Sequence, residues 1–172
     1  MSAPAHTSPS IARYETPALD PVALLRALGL EGEAPAVLLD SAGGSTQLAR
    51  RHYLAWDPVF RLRARRGVVT VTVGAGVRRD GSPPARTLAA RAGALTALAP
   101  FEALREATKL AALPHATAGE AAGLPEAEAL VGLLSYDAVR YLERLPDTVR
   151  DDLGIPDIDV FLPGRLLRYD IA

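Results

Sequence analysis

The chain contains no cysteine among its 172 residues. Disulfides, thiolate metal sites and a cysteine nucleophile are therefore excluded, and the composition suits a cytoplasmic setting. Long apolar runs are missing as well: nothing approaches the roughly eighteen residues that mark a membrane-crossing helix. Met1 to Ser10 is small and polar and lacks the basic-then-apolar order of a secretory signal. The three histidines, His6, His52 and His115, have no ligand spacing, so a zinc centre is not expected. Gly74-Ala75-Gly76 has Arg79 where a dinucleotide fingerprint needs its third glycine, and no G-K-[ST] follows any glycine run. Gly132-Leu133-Leu134-Ser135 is not a G-x-S-x-G nucleophile elbow. Asp147, Asp151, Asp152, Asp157 and Asp159 form an acidic run with the wrong spacing for a calcium loop.

Charge of one sign is also scarce, with a formal net charge of −1. It is unevenly spread: residues 1–91 hold 12 basic and 7 acidic side chains, whereas residues 92–172 hold 7 and 13. A nucleic-acid-binding domain normally has a clear basic excess. The arginines that invite that reading are Arg61, Arg63, Arg65 and Arg66, near Tyr53, Trp56 and Phe60. Strict alternation with apolar residues explains them as the wet face of a hairpin. Neither a nucleic-acid nor a membrane partner is expected.

What the chain does have is enough apolar residues, 49%, for a core. Residues 1–14 read as a disordered tail and residues 15–172 as one domain. Asp20-Pro21 opens a helix, with aspartate as cap and proline in the first turn, and Gly29 closes it. Ala36 to Asp40 reads as a short buried strand, followed by a loop at Gly43-Gly44-Ser45. Gln47 to Trp56 reads as a second strand, closed by Asp57-Pro58. Val59–Ala64 and Val68–Val73 alternate with period two and form a hairpin around Arg65-Arg66-Gly67.

After a loop at Asp80–Pro84, helices are expected over Thr87–Ala99 and from Pro100 onward. The second should present Phe101, Leu104, Thr108 and Ala111 on one face. An exposed loop from His115 to Pro125 leads to a strand over Ala129–Tyr136. A helix capped by Asp137 should run to Leu145, and a loop from Asp147 to Asp157. Two last strands, Ile158–Leu162 and Arg165–Tyr169, flank Pro163-Gly164. Strand groups mixed with separate helices imply an α+β fold with an antiparallel-rich sheet packed with helices.

Two segments carry more than fold. Val131 to Pro146, from Val131-Gly132-Leu133-Leu134-Ser135-Tyr136-Asp137 through Arg140-Tyr141-Leu142-Glu143-Arg144, continues into Asp151-Asp152-Leu153-Gly154-Ile155-Pro156-Asp157. This run resembles the signature of the anthranilate synthase component I family, in its N-terminal regulatory domain. Leu38-Leu39-Asp40-Ser41 resembles that family's "LLES", with Asp40 one methylene shorter than the usual glutamate. Arg50, Asp57 and Pro58 match a further stretch, "gRYSfiG.dP", in which Arg51, His52 and Ala55 stand in place of Tyr, Ser and Gly. Upstream of the signature, Glu126-Ala127-Glu128-Ala129-Leu130 replaces a Phe and a Gly-Gly pair.

The resemblance implies that Asp40, Ser41 and Arg50 contribute to a tryptophan feedback site. On the residues alone, Asp40-Ser41 reads equally as a strand end with a hydroxyl capping the next turn, and Arg50 as an exposed strand residue. Tyr136 and Asp137 read as a partly buried aromatic and a helix cap. Family members convert chorismate and ammonia to anthranilate and pyruvate, the ammonia coming from a glutamine amidotransferase subunit. Their Mg2+ and chorismate bind in a following catalytic domain. That domain is expected to be absent from this chain, so no catalytic residue, metal site or cofactor is assigned here. Aminodeoxychorismate synthase, in folate synthesis, shares these motifs, and a free-standing amino-acid-binding or interaction module is the remaining reading.

Overall fold

The computed structural model describes residues 19–32, 35–40, 51–112, 129–146 and 151–170. The expected tail, Ser41, Arg50, the loops at Gly43–Ser45 and His115–Pro125, and the segment replacing the Gly-Gly pair up to Glu128 lie outside the described residues. The architecture is α+β. Five strands, β1 (Val37–Leu39), β2 (Arg51–Arg65), β3 (Val68–Val73), β4 (Val131–Leu134) and β5 (Ile158–Asp170), form one antiparallel sheet. The helices are α1 (Pro21–Ala27), α2 (Ala75–Asp80), α3 (Pro83–Ala94) and α4 (Pro100–Ala112), with 3-10 turns at Leu95–Ala97 and Tyr136–Tyr141.

The sheet is organised around one long pair, β2 against β5, in register from Arg51 opposite Asp170 to Ala64 opposite Ile158. β1 and β3 lie one after the other along the outer edge of β2: β1 reaches Tyr53–Ala55, and β3 reaches Phe60–Arg65. β4 pairs with the first residues of β5, Ile158–Phe161.

Two expected strand ends are overturned here. Asp57-Pro58 does not close a strand, and Pro163-Gly164 does not separate two. β2 and β5 run on through both, and the two prolines face each other. Neither has an N–H to offer the ladder, and Pro58 sits beside a bulge, between the stretches of β2 that pair with β1 and with β3. The chain adjusts with a bulge: Pro58 lies opposite Pro163, but Phe60 lies opposite Leu162, leaving Val59 as an extra residue. Asp57 adopts a left-handed φ of 55°.

The bulge also moves the buried stripe to the other side of the sheet. His52 and Leu54 share a face with Tyr169 and Leu167, whereas Phe60, Leu62 and Ala64 share the opposite face with Leu162, Val160 and Ile158. That second face is the core. Phe60, Leu62, Ile158 and Leu162, with Val69 of β3, pack under Ala92, Leu95, Ala103, Ala107 and Leu110 of the helices. Each large side chain so buried stabilises the fold by about 1.5–3 kcal/mol. Small alanines on α3 and α4 let the helices sit close to the sheet.

The helices follow local chemistry, with shifts. Asp20 caps α1 as expected, accepting from the N–H groups of Val22 (2.9 Å) and Ala23 (3.1 Å), and Gly29 takes the left-handed conformation after it. α3 begins four residues earlier than expected, because Ser82 caps it through the Ala85 N–H and Pro83 occupies its first turn. α2 was not foreseen; its six residues are too few for a periodic signal. On α4 the inward face is Ala103, Ala107, Leu110 and Ala111, and Thr108 is exposed. Phe101 and Leu104 pack against the core from its margin, so of the expected face only Thr108 is misplaced. β1, expected to be buried, is a half-exposed edge strand.

Candidate functional site

The hairpin β2–β3 turns at Arg66-Gly67, and both residues are left-handed, with φ of 49° and 81°. Glycine accepts this freely; arginine does so at a cost. The signature segment offsets that cost. The Asp157 carboxylate accepts the Arg66 N–H at 2.8 Å and the hydroxyl proton of Tyr141. The Tyr141 oxygen in turn accepts the Gly67 N–H at 3.1 Å. Burial, aided by the neighbouring carboxylate, pushes the Tyr141 hydroxyl up to about 12.

The backbone of Asp157 is tied on both sides as well, donating to Ala64 (2.8 Å) and accepting from Ser135 (2.9 Å). Asp151 accepts the Gly154 N–H at 2.9 Å and pairs with Arg65 at 2.7 Å. The Arg65 guanidinium holds this carboxyl below its ordinary range. Gly132 meets a different demand: a Cβ there would lie 2.0 Å from the Asp159 carbonyl oxygen, so only glycine lets β4 approach β5.

The most informative stretch of the sequence is therefore a clasp around a strained hairpin turn. Asp137 is not a helix cap, as expected from sequence; Ser135 stands at that position, and Asp137 pairs with Arg140 at 2.9 Å. The expected helix to Leu145 is only a 3-10 turn ending at Tyr141. Tyr136, expected to be partly buried, is 87% exposed. Leu133, Leu134, Leu142, Leu145 and Leu153, from the same segments, are exposed too.

Of the residues expected to bind an effector, only Asp40 is described. It stands immediately after β1, as the strand-end reading required. Its carboxylate lies 2.8 Å from Nδ1 of His52. The His52 side chain is buried and its ring stacks on Tyr169, directly opposite on β5, with centroids 5.9 Å apart and planes 12° apart. An ammonium group approaching Asp40 would share the carboxylate with this imidazole. From sequence, His52 enters only as a candidate metal ligand and as a replacement for Ser in the family-like stretch, not as a partner of Asp40. The usable signal was its alternation with Leu54, which puts both on one face of β2.

The arginines of the hairpin's wet face are paired: Arg61 makes two 2.6 Å contacts with Asp159, and Arg63 lies 3.6 Å from the same carboxylate. Among the described residues no cluster of three or more histidines and carboxylates could hold a metal ion, and no helix is long and apolar enough to cross a membrane.

No family profile matches the chain, and no solved structure matches it. The chain is similar to anthranilate synthase component 1 of Mycolicibacterium smegmatis, 48% identical over 50 residues. The match covers 28% of this chain and 10% of that relative.

Proposed function

We infer that this chain is an N-terminal, regulatory-type domain related to anthranilate synthase component 1, and that it binds an effector without performing chorismate chemistry by itself. The observation that carries the reading is the 48% identity to component 1 over 50 residues. It favours the anthranilate branch over aminodeoxychorismate synthesis. In this proposal Asp40, Ser41 and Arg50 form half of a tryptophan site. A charge-assisted hydrogen bond between Asp40 and the ammonium group would contribute about 1.5–3 kcal/mol. The other half, together with Mg2+ and chorismate, belongs to a chorismate-binding catalytic domain, and ammonia comes from a glutamine amidotransferase subunit. The setting proposed is cytoplasmic.

Two features support this reading. Asp40 sits at a strand end with its carboxylate held in place by His52. The exposed apolar side chains Leu133, Leu134, Tyr136, Leu142 and Leu153 offer a surface for a second body.

The test is calorimetry with tryptophan, and anthranilate fluorescence with chorismate, Mg2+ and ammonium. Each is run on the chain alone and after adding a component 1 chorismate-binding domain. The chain alone is expected to bind tryptophan weakly and to make no anthranilate. Turnover by the chain alone, lost on mutating its own residues, overturns the reading. Tight tryptophan binding by the chain alone, abolished by Ser41→Ala, would instead identify a complete sensor.

A further inference from the structure

A second site lies at the opposite end of β1 from Asp40. The bulge in β2 opens a cavity of about 370 Å³, lined by Leu30, Pro35, Trp56, Asp57, Pro58 and Arg165. We propose that this cavity binds a free apolar α-amino acid. Arg165 takes its carboxylate, Asp57 its ammonium group, and Trp56 with Leu30 and the two prolines its side chain.

The charges select this class. The Arg165 guanidinium and the Asp57 carboxylate are 3.6 Å apart, close enough to neutralise one another but too far for a hydrogen bond. Each keeps its hydrogen-bonding capacity toward a ligand. A simple anion is attracted by Arg165 and repelled by Asp57, and a simple cation the reverse. A molecule with both charges on one carbon satisfies the pair together. The remaining walls are apolar, and the volume suits a single small molecule.

The backbone that carries Asp57 is held in advance. Asp57 is left-handed, and its carbonyl faces Gly164, where a Cβ would come within 2.4 Å. On the other side a Cβ at Gly74 would come within 1.8 Å of the Pro58 carbonyl. Backbone grips the bulge from both flanks, so the main chain that carries the carboxylate needs no rearrangement when a ligand arrives. The site is separate from Asp40. Leu39, just before Asp40, faces Tyr53, whereas Val37, two residues after Pro35, faces Ala55. Asp40 and the cavity are thus about four residues apart along β2, roughly 13 Å.

The chain has one tryptophan, so Trp56 emission reports on this cavity directly. The experiment titrates the full chain with L-leucine and L-phenylalanine. The controls are leucinamide, which lacks the carboxylate, and 4-methylpentanoate, which lacks the amine. The expected result is a saturable emission change for the amino acids, with each truncated analogue weaker by about tenfold. Arg165→Gln and Asp57→Gly should each weaken the response by a similar factor, and Asp40→Asn should leave it unchanged. Glycine adopts a φ near 55° without strain, so Asp57→Gly removes the carboxylate and keeps the bulge. Should that variant lose its circular dichroism signal, Asp57→Asn gives the same readout. Overturning results are the absence of a saturable change, equal responses to all four compounds, or a response lost in Asp40→Asn. Because Asp40→Asn separates the two sites, failure here is distinguishable from failure of the tryptophan half-site.

Discussion

The two ends of the β2–β5 pair are built from the same two strands and do different things. From Phe60 to Arg65 the pair is flanked by β3 and β4, roofed by α3 and α4, and clasped by Tyr141 and Asp157. From Arg51 to Trp56 it is flanked by the short, half-exposed β1 and carries Asp40, His52, Trp56 and the cavity. One end concentrates apolar burial; the other keeps polar groups within reach of small molecules. The bulge between them makes the difference, since it sends the buried stripe to opposite faces of the sheet.

The comparison breaks most plainly if the two ends prove equally important for stability. Phe60→Ala, at a fully buried position, should cost about 3–5 kcal/mol. Leu39→Ala, at a position 51% exposed, should stay within about 0.5 kcal/mol. Urea denaturation of both variants measures the contrast, and similar losses would erase it. Next in size is Gly132→Ala, which forces a Cβ against the Asp159 carbonyl and should cost about 1–3 kcal/mol by overpacking. No loss there would mean that β4 does not hold β5 closely.

The clasp should show a smaller effect with a pH signature. Tyr141→Phe removes the hydroxyl shared by Asp157 and Gly67 and should cost about 1 kcal/mol near neutral pH. In the folded chain Tyr141 keeps its proton up to about 12, above its ordinary value of 10.0. Between those values the unfolded chain binds fewer protons, so the hydroxyl's contribution is complete below about 10 and is lost as pH rises toward 12. Denaturation midpoints across that window should fall with a steeper slope in the parent than in Tyr141→Phe. The smallest effect should be that of Asp57→Gly, within about 0.5 kcal/mol, because the backbone already suits glycine. A large loss would show that the Asp57 side chain stabilises the fold.

What could be read from sequence was what depends on near neighbours. The Asp20 cap, the period-two hairpin and its alternating arginines, and Asp40 at a strand end all rest on residues a few positions apart. The misreadings share one cause. Pro58 and Pro163 end strands by every local rule, and only pairing between segments more than a hundred residues apart, adjusted by a bulge, carries the strands through them. The roles of Asp157 and Tyr141 were hidden in the same manner, since their partners in the Arg66-Gly67 turn are 91 and 74 residues distant. At the candidate site Asp40 was visible, but His52 was not, because its meaning comes from Tyr169 across the sheet.

The bulge has one more consequence, for how the chain finds its alignment. A long antiparallel pair is prone to slippage, since a shift by two residues keeps every side chain on its own face. Here such a shift would carry Gly164 away from Asp57 and bring Leu162 or Leu166 into its place, where a Cβ lies 2.4 Å from the Asp57 carbonyl oxygen. The extra residue at Val59 would also fall where the partner strand has no matching gap. Glycine and bulge together act as an index mark that penalises the neighbouring alignments.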